Sequence, residues 1–92
     1  MAVVVIPTVF QGATRGESHF ETDAQTVAAC FDAIEARCPG LKELVIDPQT
    51  GAIHKFVKVM RNGELLARDP VVLETKVSAS DEIEVIAAVA GG

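Results

Sequence analysis

An α+β fold, with a mixed sheet of about five strands packed on one main helix, is what this sequence predicts, and three observations predict it. The opening run Met1–Phe10 is rich in Val and Ile, the apolar spacing changes to a helical period between Thr26 and Cys38, and Asn62-Gly63 separates two short strand-like runs. A length of 92 residues suits one small domain with a small core. With 49% apolar and 23% charged residues, the composition is that of an ordinary soluble globule, which excludes disordered, collagen-like and coiled-coil classes.

Met1–Phe10 reads as a strand that is apolar on both faces for much of its length, with Pro7 interrupting it. Gln11 to Gly16 supply turn chemistry, and Ser18 to Glu21 return antiparallel to close a β-hairpin. Val27, Cys30, Phe31, Ile34 and Cys38 then follow the spacing of one amphipathic helix, while Asp32, Glu35 and Arg37 fall on its other side. Thr26 and Asp23 compete as N-cap, and Pro39-Gly40 stops the helix after Cys38. Leu41 to Ile46 allow one further helical turn before the turn residues Asp47 to Gly51. Phe56 to Met60, Asn62-Gly63 and Glu64 to Leu66 form a second hairpin, and Glu82 to Ile86 form a last strand.

The predicted order is therefore ββ-α-ββ-β. The first strand belongs in the middle of the sheet, with the last strand parallel beside it across a long crossover. This is a grasp-like arrangement. A ferredoxin-like one would require a second long helix, and Asp69-Pro70 together with Val71, Val72, Thr75 and Val77 make residues 64–81 a poor candidate.

Eight basic against thirteen acidic residues leave a net charge of -5, which excludes a phosphate-backbone partner; no nucleic acid is expected. Cys30 and Cys38 lie eight positions apart on one helix, roughly 12 Å at helical rise, so both are expected as reduced thiols. The apolar run Ala2–Ile6 has no basic residues before it, and it is far short of the roughly 20 residues that a membrane helix needs. No membrane association and a cytoplasmic location are the expectations.

Enzyme constellations are nearly absent. His19 and His54 have no partners at metal-ligand spacing and read as surface or strand-edge residues. Cys30 falls on the apolar helix face, where small thiols are packed and inert; Cys38, at the helix end, has only Arg37 as a positive neighbour. Asp81, Glu82 and Glu84 could mimic paired acid and base carboxylates, but without a visible pocket they read as a solvated face.

The last two residues are different. At average composition two consecutive glycines close a chain by chance in roughly one case in 200, although a frayed end or a cloning scar looks the same. Here Gly91-Gly92 follow the last strand after only Ala87, Ala88, Val89 and Ala90. Six residues from Ala87 reach at most about 20 Å, enough to thread a narrow channel in a partner while the globule docks outside.

The run Asp81 to Gly92 resembles the end of ubiquitin-like sulfur carrier proteins of the ThiS and MoaD type. Val5-Ile6-Pro7-Thr8, His54-Lys55-Phe56-Val57 and Asn62-Gly63 are similar to the CysO branch, which serves bacterial cysteine synthesis. The resemblance covers nearly the whole chain and implies a ubiquitin-like β-grasp domain over residues 1–88 and a flexible tail over 89–92. The sequence departs from many members, which have proline where Ala87 or Ala88 stands, and this leaves the tail less stiff where it leaves the sheet.

The resemblance also implies a protein cosubstrate rather than an enzyme. An E1-like adenylating enzyme would use ATP and Mg²⁺ to convert the Gly92 carboxylate to an acyl-adenylate. Sulfide or a persulfide would then leave a thiocarboxylate for a sulfur-accepting synthase, PLP-dependent or similar to thiazole synthase. The products within reach are cysteine, a thiosugar, a siderophore or a related sulfur metabolite. The carrier binds no cofactor or metal itself and is expected to be a monomer when free. Gly92 supplies the reacting carbonyl without a catalytic side chain, and Gly91 passes without a Cβ.

If Ile83 and Val85 face the helix, strand alternation puts Glu82, Glu84 and Ile86 on the uncovered side of the sheet. Ile86 and Met60, with Ala88, Val89, Ala90 and Gly91 of the tail, are then the candidate partner-binding residues. The rival function is a ubiquitin-like modifier joined through Gly92 to target lysines; a third reading is a plain interaction domain indifferent to loss of Gly91 and Gly92.

Overall fold

The computed structural model describes residues 1–66 and 71–87. The strands are β1 (Ala2–Val5), β2 (His19–Thr22), β3 (Val57–Arg61), β4 (Glu64–Leu65) and β5 (Glu82–Ala87). The helices are α1 (Val27–Arg37), α2 (Lys42–Val45) and α3 (Val71–Glu74). One sheet holds all five strands in the order β2-β1-β5-β3-β4, with β1 and β5 parallel and the other neighbours antiparallel.

The opening strand is shorter than its apolar run. Pro7 has no N–H to give a ladder, so β1 ends at Val5 and Thr8–Phe10 wind into a 3-10 turn. Phe10 and Gln11 donate backbone bonds to Pro7 and Thr8, while the Gln11 side chain donates to the Ile6 carbonyl at 3.0 Å. β1 is an interior strand beside β5, as its composition predicts, but the centre of the sheet belongs to β5. Helices cover only one face, so a central strand needs one apolar face rather than two. β5 meets that requirement with Ile83 and Val85 buried and Glu82, Glu84 and Ile86 exposed.

α1 starts and stops where local chemistry dictates. Thr26 wins over Asp23 as N-cap, its hydroxyl accepting from the Ala29 N–H at 3.1 Å. The helix ends at Arg37, and Gly40 takes φ +105°, the left-handed region that turns the chain away. Glu35 secures this corner by accepting from the backbone N–H of Gly40 and Lys42 at 3.0 and 2.8 Å; those bonds hold its carboxyl below the ordinary value. The core lies between α1 and the covered sheet face, where Val27, Cys30, Phe31 and Ile34 share one buried cluster with Val4, Phe20, Val59 and Ile83. Cys30 and Cys38 are buried free thiols. Between β4 and β5 the described residues contain one helical turn, α3, and no second long helix.

Candidate docking face and tail exit

β5 positions the site. It is held on both sides and delivers Ala87, its last residue, opposite Val57. Ala88, Val89, Ala90, Gly91 and Gly92 lie outside the described residues. At the other end of the strand, Asn62 locks the β3–β4 turn to the start of β5. Its N–H donates to the Glu82 carbonyl at 2.9 Å, its side-chain carbonyl accepts from the Glu82 N–H at 2.8 Å, and its amide donates to Asp81 at 2.9 Å. Asp81 also accepts from the Ser78 N–H at 2.8 Å, and these two bonds hold its carboxyl below the ordinary value, the Ser78 bond contributing most. Asn62 and Gly63 take φ +53° and +86°, the two left-handed positions of a type I′ hairpin turn.

Paired residues in a sheet share a face, so the register states which side chains surround Ile86. Lys58 stands directly opposite Ile86, and Met60 stands opposite Glu84, which makes Met60 a diagonal neighbour of Ile86. Leu65 follows beside Met60 on β4; on the other flank Val3 and Val5 of β1 pair with Glu82 and Glu84. Glu21 and His19 on β2 complete the rows through Val3 and Val5. Ile86 and Met60 thus share the uncovered face as predicted. Ile86 is 36% and Leu65 58% exposed, while Val3, Val5 and Met60 are half-buried.

The patch is wider than the sequence reading made it, and its border is not purely acidic. Val3, Val5, Leu65 and Lys58 were missed. For Leu65 and Lys58 a signal existed: a two-residue turn at Asn62-Gly63 sets Arg61 opposite Glu64 and Met60 opposite Leu65, by counting outward. The register of β1 on β5, which sets Val3 against Glu82 and Val5 against Glu84, had no local signal.

Of the other candidates, Glu82, Glu84 and, at the β2 edge, His19 share this face, whereas Cys30 lies in the core. His19 is exposed on the edge strand, with Nδ1 2.8 Å from the Ser18 hydroxyl. His54 stacks on Phe56 with ring centroids 5.1 Å apart, and its Nε2 lies 2.9 Å from the Glu43 carbonyl. Burial pushes the Cys30 thiol up to about 11, which suits a packing role and not a nucleophile. Among the described residues no three His, Cys, Asp or Glu side chains gather where they could hold a metal ion, and no helix is long and apolar enough to cross a membrane.

What this arrangement offers is an exposed, partly apolar sheet face beside a strand end. The sequence pattern of the ThiS family matches residues 4–92. The chain belongs to the ThiS family. A curated relative, "Sulfur carrier protein CysO" of Mycobacterium tuberculosis (strain ATCC 25618 / H37Rv), is 32% identical over 90 residues, covering 97% of this chain and 96% of its own. A chain of the Amycolatopsis orientalis BexX/CysO complex is similar with a TM-score of 0.87 at 33% identity, with 100% of both chains covered. The crystal structure of Mycobacterium tuberculosis CysO gives 0.85 at 29% identity, covering 97% of this chain and 100% of its own. The fold is therefore the ubiquitin-like β-grasp of the ThiS family, and the chain is of the CysO carrier kind rather than an enzyme.

Proposed function

We propose that this ThiS-family chain is a sulfur carrier whose Gly92 carboxylate is loaded and unloaded by partner enzymes. The observation that carries the reading is that the likeness to CysO carriers runs through nearly the whole chain, and the family match extends to Gly92 itself. A free carboxylate resists nucleophiles because its departing oxygen is a poor leaving group. An E1-like adenylating enzyme, using ATP and Mg²⁺, would join the Gly92 carboxylate to AMP and release pyrophosphate. Hydrogen sulfide ion then attacks the acyl carbon, AMP departs with the electron pair of the broken C–O bond, and loss of one proton leaves the thiocarboxylate. Its terminal sulfur is the soft nucleophile handed to an electrophile in a sulfur-accepting synthase.

The carrier itself contributes the docking face and the strand that aims the tail. Ile86 and Met60 supply apolar contact, and Ala88, Val89, Ala90 and Gly91 offer small side chains or none to a narrow channel. Free carrier is monomeric and cytoplasmic in this reading. The test is intact-mass spectrometry of the full chain after incubation with the adenylating enzyme of its own organism, ATP, Mg²⁺ and sulfide. The expected result is replacement of one oxygen by sulfur, lost when Gly92 is deleted. Isopeptide adducts on lysines of other proteins, without sulfur gain, would establish the modifier reading instead.

A further inference from the structure

The uncovered face carries its charges in a fixed order along β5. Lys58 is level with Ile86, one residue before the strand end at Ala87. Glu84 and Glu82 follow two and four residues back, roughly 7 and 13 Å at strand rise. Glu21 lies level with Glu82 across Val3. All four charged side chains are exposed, and the ion pairs among the described residues, Arg37–Glu17 and Lys42–Asp32, include none of them. The face therefore presents a cation beside the tail exit and three carboxylates away from it, with Ile86, Met60, Val5 and Val3 between.

We propose that this charge order is an orientation key for the adenylating enzyme. That enzyme carries carboxylates beside the mouth of the channel that receives the tail, and cationic side chains farther out that meet Glu84, Glu82 and Glu21. The inference rests on the reading that a separate enzyme activates Gly92. An apolar patch is non-directional and would tolerate the carrier turned about its centre, with the tail aimed away from the channel. Ordered charges remove that freedom, because the turned pose sets like charges against each other, while the correct pose is steered at long range. A net charge of -5 argues against an anionic surface as the occupant. A second copy of this chain is the competing occupant, since a two-fold pairing could set Lys58 of each copy against Glu84 of the other.

The experiment measures sulfur loading of the full chain by its organism's adenylating enzyme, with ATP, Mg²⁺ and sulfide, at low and high salt. Wild type is compared with Lys58→Glu and with Glu82→Lys/Glu84→Lys. Each variant is expected to raise KM for the carrier about tenfold or more at low salt with kcat retained, and the difference should shrink at high salt. Thermal melting at the wild-type temperature keeps folding out of the comparison. A KM within about twofold of wild type at low salt for both variants overturns the key. So does a wild-type dimer in sedimentation that either variant breaks and that mixing Lys58→Glu with Glu82→Lys/Glu84→Lys restores, because the charges would then pair two carriers. No sulfur gain by wild type refutes the carrier reading and the key with it, whereas normal loading with charge-blind KM refutes the key alone.

Discussion

Cys30 is wholly buried on the sheet side of α1, and desolvation pushes its thiol up to about 11 from an ordinary 9.0. The folded state holds the proton more tightly than the unfolded chain, so this residue's contribution is intact below pH 9 and is lost as pH rises toward 11. A thiolate is the reactive form, and at neutral pH the folded protein has almost none at this position. In a Cys38→Ala background, a disulfide reagent should therefore label Cys30 at a rate that follows global unfolding as denaturant is added. A fast labelling phase under native conditions would show that α1 opens on its own. The burial of Cys30 could be read from its spacing with Val27, Phe31 and Ile34, because a helix face is a local property of sequence.

Two carboxylates fasten one element to the next. Glu35 ties the end of α1 to the start of α2, and Asp81 ties the approach to β5 to Ser78 and Asn62. Both are held below their ordinary values of 4.5 and 3.8, so each stabilises the fold above its unfolded value and loses that contribution as pH falls through the lowered one. The melting temperature should hold steady down to the ordinary values and fall below them. Glu35→Gln and Asp81→Asn should start lower at neutral pH and fall less on acidification; a parallel fall in all three proteins would place the acid-labile groups elsewhere. Elements with local signals were legible in the sequence, including the Thr26 cap, the Pro39-Gly40 stop and the Asn62-Gly63 turn. The end of β1 was misread because strand-forming residues continue to Phe10, whereas the missing N–H of Pro7 decides the matter. The full membership of the candidate face was hidden because, although β1 and β5 were expected as neighbours, it depends on the register between strands far apart in sequence, which the whole sheet sets.

For the molecule as a whole, the uncovered side of the sheet is the surface on which the proposed function acts. Ile86 contributes nothing to the helix-side core, so Ile86→Asp should leave the melting temperature within a few degrees of wild type. Calorimetry with the adenylating enzyme should show a dissociation constant raised about tenfold or more, as for an apolar anchor replaced by a charge. Unchanged affinity would move the contact off this face. The parallel pairing of β1 with β5 has a mechanical consequence. Because the two strands run the same way, Met1 and Ala87 lie towards opposite ends of the sheet, and tension between them loads the β1–β5 ladder lengthwise. The bonds of that ladder must then slide together instead of unzipping in turn, so a pull on Ala87 against Met1 meets shear and not peeling.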